Sequence, residues 1–164
     1  MTTLDAHGIS VAIPRGWDVY IGHPESDEIV VPGTHRGLIP RSGTTNPLVH
    51  LANFALPPQR GDYGQGATQL MRSQHIFIAL LEHDREAADT ALFQQQLEMP
   101  RVRGGDFARH RQVVALAGMA GTQKFFTHAG RPFCLYAVIG SWTARKPLAA
   151  TVNEVLDGVE IEPR

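Results

Sequence analysis

The segment His75 to His83 reads HIFIALLEH. On an extended chain successive side chains point to opposite faces, so Ile76, Ile78 and Leu80 lie on one side and Phe77, Ala79 and Leu81 on the other. A strand apolar on both faces needs cover on both, which places it inside a sheet with material packed above and below. Leu48 to Leu56, LVHLANFAL, has the same character. Both strands are therefore expected to be central in the sheet. They require a layered structure with a covered sheet at its centre.

The remaining periodicities fill in that frame. In ISVAIPRGWDVYI, Ile9, Val11 and Ile13 alternate with smaller residues. A Pro-Arg-Gly turn follows, and Trp17, Val19 and Ile21 resume the alternation: two strands joined at a corner, with Trp17 as a core anchor. Thr122 to His128 and Arg131 to Ser141 flank Ala129-Gly130 and read as a β-hairpin, with Phe133, Leu135, Ala137 and Ile139 on one face. Phe107 to Leu116 reads as another strand, and one helical turn is expected at Ala67 to Arg72. Asp84 is a candidate N-cap for a helix over Arg85 to Gln96, whose apolar side is Ala88, Ala91 and Leu92. The clearest helix has Pro147 at its first position. Leu148, Val152, Val155 and Leu156 follow on one stripe, and Gly158 is a left-handed stop. Val159 and Ile161 then form a short closing strand.

Runs of strands without strict strand–helix alternation predict an α+β fold, a mostly antiparallel β-sheet flanked by helices. A length of 164 residues suits one domain spanning 1–164, and about 70% of the unfolded chain's surface is buried at this size. Pro and Gly fall in short clusters between elements. They are densest over residues 22–47, where a broken strand or short hairpin is expected around Glu28 to Val31.

Composition removes several classes of function. Net charge is −1, with 15 Lys and Arg against 16 Asp and Glu. Nucleic-acid binding needs a basic stripe that displaces counterions. The nearest approach, Arg101, Arg103, Arg109 and Arg111, reads as solvated loop and strand edges. MTTLDAHGIS has neither a basic start nor an apolar core, so no signal peptide is expected. No apolar run reaches the length of a membrane span. One cysteine, Cys134, excludes an internal disulfide and favours a reducing compartment. Thirteen arginines against two lysines suggest a GC-rich bacterial genome. The expectation is a cytoplasmic protein.

GISVAIPRGWDV near the start, the hairpin GTQKFFTHAGRPFCLYAVIGS and a closing helix running into VLDGVEI resemble the PsbP-like superfamily. That group includes the extrinsic photosystem II protein and a nuclear-import factor that binds the Ran GTPase. FALPPQRGDYGQGATQLM followed by IFIALLE is similar to a family of actinobacterial proteins without assigned activity. The resemblance implies an α/β/α sandwich with an antiparallel sheet, serving as a binding or accessory module rather than an enzyme. Its members bind different partners through different surfaces, so no functional residue is carried over.

Candidate sites are weighed one by one. The loop Arg60-Gly61-Asp62-Tyr63-Gly64-Gln65-Gly66 leaves a central strand and concentrates polar groups, and its glycines allow close backbone approach to a ligand or partner. It matches neither a phosphate-binding loop nor a dinucleotide fingerprint. Two readings stay open: a structured turn in which Arg60 pairs with Asp62 or caps a neighbour, and a binding surface using Arg60, Asp62, Tyr63 and Gln65. Eight histidines show no paired spacing. His50, His110 and His128 lie on separate strands, and no metal site is expected. Cys134 lies in an apolar strand as a buried thiol, and Ser141 is not in a nucleophile elbow. Glu82 and Asp84 are a possible carboxylate pair, better read as a solvent-facing strand end and a helix cap. Trp142, with Phe125, Phe126 and Tyr136, is either core or a patch facing a partner.

Two functions follow. The first is a non-enzymatic binding domain, without cofactor, acting through a protein partner or a second copy. The alternative is a small-molecule, anion-binding protein or enzyme, with a pocket beside the Arg60–Gly66 loop where Arg60, Asp62 and His75 converge.

Overall fold

The computed structural model describes residues 2–24, 46–110 and 116–164. Among these, eight strands form two sheets. The smaller has the order β1 (Thr2–Ala6), β2 (Ile9–Ile13), β8 (Val159–Ile161). The larger has the order β3 (Asp18–Gly22), β4 (Leu48–Ala52), β5 (Ile76–Glu82), β7 (Arg131–Ile139), β6 (Ala120–His128). Every ladder between these strands is antiparallel. The fold is therefore α+β and built on antiparallel sheets.

The doubly apolar strands sit where their sequence requires. β5 is the middle strand of five, and β4 lies beside it. Ile76, Ile78 and Leu80 face a core shared with Ile9 and Val11 of β2, Val159 and Ile161 of β8, and helix α2 (Arg145–Leu156). Phe77 and Ala79 face a second core with Tyr136, Val138 and Met119. One face of the large sheet is thus covered by a small sheet and a helix. The other is covered by the segment after β4, which holds the four-residue helix α1 (Gln65–Thr68), Phe54, Leu56 and Tyr63. Helix therefore flanks the large sheet chiefly on one side among the described residues.

The Pro14–Trp17 corner carries the chain from the small sheet to the large one. It closes with Trp17 N–H donating to the Pro14 carbonyl at 3.1 Å, and Gly16 has φ +82°. Trp17 packs half-buried against the main core. The β6–β7 hairpin turns through Ala129 and Gly130 at φ +52° and +75°, the two positive values that a tight two-residue hairpin turn requires. Leu148, Val152, Val155 and Leu156 of α2 are all buried.

Several expectations change. β1 is an additional strand, paired along its length with β2; its polar TTLDA pattern hid it, because an edge strand needs few apolar residues. β4 ends at Ala52, and the helical turn forms at Gln65–Thr68, earlier than Ala67 to Arg72. α2 begins two residues before Pro147, which still falls in the first turn, where its missing N–H leaves no bond unmade. Gly158 is not left-handed. Its carbonyl accepts from Ala12 N–H at 2.8 Å, and a Cβ there would lie 3.2 Å from the Ala12 Cβ, so it serves the approach of α2's end to β2.

The helix over Arg85 to Gln96 does not form. Only a 3-10 turn, Arg85–Ala87, is present, without a side-chain cap from Asp84, whose carboxylate instead accepts from the Asn46 amide at 2.9 Å. Alanines give such a helix little apolar area to bury, and short helices depend on that burial. Asp89 takes φ +59°, Phe93 buries against His83 and Phe125, and Gln94 and Gln96 exchange backbone hydrogen bonds with Thr127 on β6. Capping a sheet edge satisfies this backbone better than a weakly amphipathic helix would. Of the strand expected at Phe107 to Leu116, Ala108 alone makes a bridge, to Gly121, and residues 111–115 lie outside the described set. The element expected around Glu28 to Val31 also lies outside the described residues.

Candidate functional site

Three arginine-centred sites emerge, and they differ in what their donors meet. The first is the Arg60–Gly66 loop. Its glycines approach the protein itself rather than a ligand: a Cβ on Gly64 would overlap the Phe77 ring, and one on Gly66 would lie 2.5 Å from the Gln59 carbonyl oxygen. Arg60 Nε donates to His50 Nδ1 at 2.7 Å, Nη1 donates to the Pro57 carbonyl at 2.8 Å, and the guanidinium lies 4.7 Å from the Tyr20 ring centre. His50 Nε2 in turn bonds the Asp62 carbonyl at 2.6 Å. Those two bonds define a neutral imidazole protonated at Nε2. Burial, with the Arg60 charge as a smaller contributor, lowers its pKa to about 4, against an opposing effect of the Asp62 bond.

Tyr63 packs edge-on against Tyr136 at 5.5 Å, and burial raises its phenol pKa above the ordinary value. Gln65 is exposed at the start of α1. The void among Tyr20, His23, His50, Arg60 and Asp62 measures about 10 Å³, room for roughly one water. His75 does not line it; its ring stacks on Phe54, and its Nδ1 accepts from Arg72 N–H at 2.9 Å.

The second site corrects the reading of Glu82. Rather than facing solvent, it is buried against Arg131, whose side chain is equally enclosed. A guanidinium has five N–H donors, and all five are used. Nε and Nη2 bind the two Glu82 carboxylate oxygens at 3.0 and 2.7 Å. Nη1 binds the Gly8 and Glu162 carbonyls at 3.0 and 3.1 Å, and Nη2 also binds the His7 carbonyl at 3.1 Å. Arg131 thereby ties the β1–β2 turn and the end of β8 to the large sheet. Arg164 adds a contact to Glu82 at 3.2 Å. A cavity of about 240 Å³ opens beside this cluster, bounded by Asn46, His83 and Arg85.

The third site is an open cleft of about 450 Å³ where β7 runs into α2. Gly140 sets its geometry: a Cβ there would overlap the Arg72 carbonyl, so glycine lets the Arg72–Ser73 strand of chain lie against the end of β7. Trp142 is half-buried, its backbone N–H donating to the Gly118 carbonyl at 2.8 Å. The Arg109 and Arg145 guanidiniums lie 4.3 and 3.9 Å from its ring centre, and Arg145 also donates to the Trp142 carbonyl at 3.1 Å. Met71, Leu116 and Met119 supply apolar wall; Ser73, Ser141 and Thr143 supply hydroxyls. The two lining arginines, Arg72 and Arg109, are exposed, and among the described residues neither side chain has a hydrogen-bond or ion-pair partner. Among the described residues, no carboxylate lines the cleft.

The aromatic patch around Trp142 does not assemble as a single surface. Phe126 is buried in the main core, Tyr136 lies in the core on the opposite face of the sheet, and Phe125 stacks near Phe93 and His83. Cys134 is fully buried, and burial pushes its thiol up to about 12, far from a nucleophile's range. Among the described residues, no group of three His, Cys, Asp or Glu side chains is placed to hold a metal ion, and no helix is long and apolar enough to cross a membrane.

No family model, curated protein or solved structure matches this chain. Of the residues singled out in sequence, Arg60 and Asp62 converge on His50, Tyr63 and Gln65 flank that cluster, and Trp142 stands apart in the larger cleft. Sequence reasoning missed the two arginines beside Trp142, which are far from it in the chain. It also missed the Glu82–Arg131 pair, for which a signal existed: Glu82 continues the face of Ile76, Ile78 and Leu80, and Arg131 continues that of Phe133 and Leu135.

Proposed function

We propose that this chain is a non-enzymatic binding domain of PsbP-like type that acts through a protein partner, with the cleft at Trp142 as its working surface. The observation that carries this reading is the cleft itself. It is the place where a large open concavity, a half-exposed tryptophan and two arginines with unused donors coincide. Tryptophan and arginine are the side chains that dominate binding energy at protein interfaces. The antiparallel sheet with α2 packed on one face supports the architecture, and one buried thiol suits a reducing, cytoplasmic setting. The alternative pocket beside Arg60 gains no support from its geometry, since Arg60 is engaged within the protein and the void there holds about one water.

The test is light-scattering mass across a concentration series, alone and mixed with lysate from the source, for wild type and R72Q/R109Q. The expected result is a complex formed by the wild type and lost in the double variant. A wild type that stays monomeric and captures nothing, or a variant that keeps the complex, overturns the reading.

A further inference from the structure

The chemistry of the cleft goes further than the existence of a partner. Arg72 and Arg109 border it, three hydroxyl residues line it, and among the described residues no carboxylate balances them. Arg101 by contrast pairs with Asp157 at 2.7 Å, and Lys124 with Asp106 at 3.2 Å. Two arginines without an ion-pair partner, in a cleft where no described carboxylate balances them, make a site complementary to oxyanions.

We propose that the cleft binds carboxylate side chains of an acidic peptide segment in the partner protein. Arg72 and Arg109 each present a planar fork that a carboxylate engages with two parallel hydrogen bonds. Arg109 is held in place by the Trp142 ring, which reduces the freedom lost on binding. Ser141 and Thr143 hydroxyls bond each other at 2.9 Å, which leaves one O–H to donate to the same ligand. Met71 and Met119 give its aliphatic stems an apolar floor. The cleft is an open concavity fed by three chain segments, a form suited to an extended peptide. This inference rests on the reading of the cleft as the working surface.

The experiment is fluorescence anisotropy of a labelled glutamate-rich decapeptide titrated with the full-length protein, at about 0.02 M and about 0.15 M salt. The account expects saturable binding that weakens with salt. It expects R72Q/R109Q to lose about tenfold or more in affinity, because two charge-assisted contacts are removed. R15Q/R85Q, which removes the same charge elsewhere, should bind as the wild type does. Equal loss in both double variants would show general attraction and overturn the site. Displacement of the peptide by inorganic phosphate at equal concentration would overturn the peptide assignment, since the cleft would then be reading a lone oxyanion. Absence of peptide binding, while R72Q/R109Q still abolishes the partner complex, overturns this inference and leaves the working surface standing. Loss of neither complex nor peptide binding in that variant overturns both.

Discussion

Arg131 and the pair Arg72–Arg109 are the same residue type put to opposite uses. Arg131 is buried, and its five donors meet five acceptors drawn from both sheets. Arg72 and Arg109 stand at a cleft mouth with no acceptor among the described residues. An arginine inside a fold is tolerable only when every donor is satisfied, because an unpaired buried charge costs several kcal/mol. An arginine outside can keep its donors free at little cost, and that freedom is a capacity to bind. The satisfied site fixes structure, and the unsatisfied one is available for function.

The largest expected effect breaks the buried site. Arg131→Met leaves the buried Glu82 with only the half-exposed Arg164 and takes a donor from three carbonyls, so it should destabilise by about 3–5 kcal/mol in urea denaturation. Adding Glu82→Leu should recover only part of that loss, because the His7 and Glu162 carbonyls still lack the Arg131 donors, while Gly8 keeps its bond from Glu162 N–H. Full recovery would mean the carbonyl contacts contribute nothing.

Next comes the intermediate case, Arg60 on His50. The folded His50 pKa of about 4 lies below its unfolded value of 6.5, so the folded state binds fewer protons between those limits. Stability is therefore complete above pH 6.5 and falls as pH drops toward 4, by on the order of 3 kcal/mol across the window. His50→Gln should flatten that slope when unfolding midpoints at pH 7 and pH 4.5 are compared. An unchanged slope would place the acid sensitivity elsewhere.

The smallest effect sharpens the contrast from the other side. R72Q/R109Q should change folding stability by less than about 1 kcal/mol, since what it removes is an exposed stacking contact of Arg109 on Trp142. A loss above about 2 kcal/mol, the range of buried satisfied groups, would make these arginines structural and remove the distinction.

The fold was largely legible because its strongest signals are local. Two-faced strands, a positive-φ hairpin turn and one clean helical stripe each state their own structure. The misreadings came where a local pattern competed with tertiary partners. Asp84 to Gln96 carries a plausible cap and a helical spacing, yet its alanines bury too little and β6 offers its backbone better partners. The site was legible only in pieces. Trp142 was visible as an ambiguous aromatic, while Arg72 and Arg109 reach it only because Gly140 admits the Arg72 carbonyl and the sheet returns Gly118 beside Trp142. Such convergence has no sequence period. The glycine-rich loop was the opposite case, conspicuous in sequence and consumed in packing against Phe77.

The central claim is that binding happens at the Trp142 cleft. The chain has two tryptophans, Trp17 and Trp142, so a ¹H–¹⁵N spectrum carries one indole N–H resonance from each. Titrating the glutamate-rich peptide should shift the Trp142 resonance progressively and leave Trp17 in place. Movement of Trp17 alone, or of neither, would contradict the account.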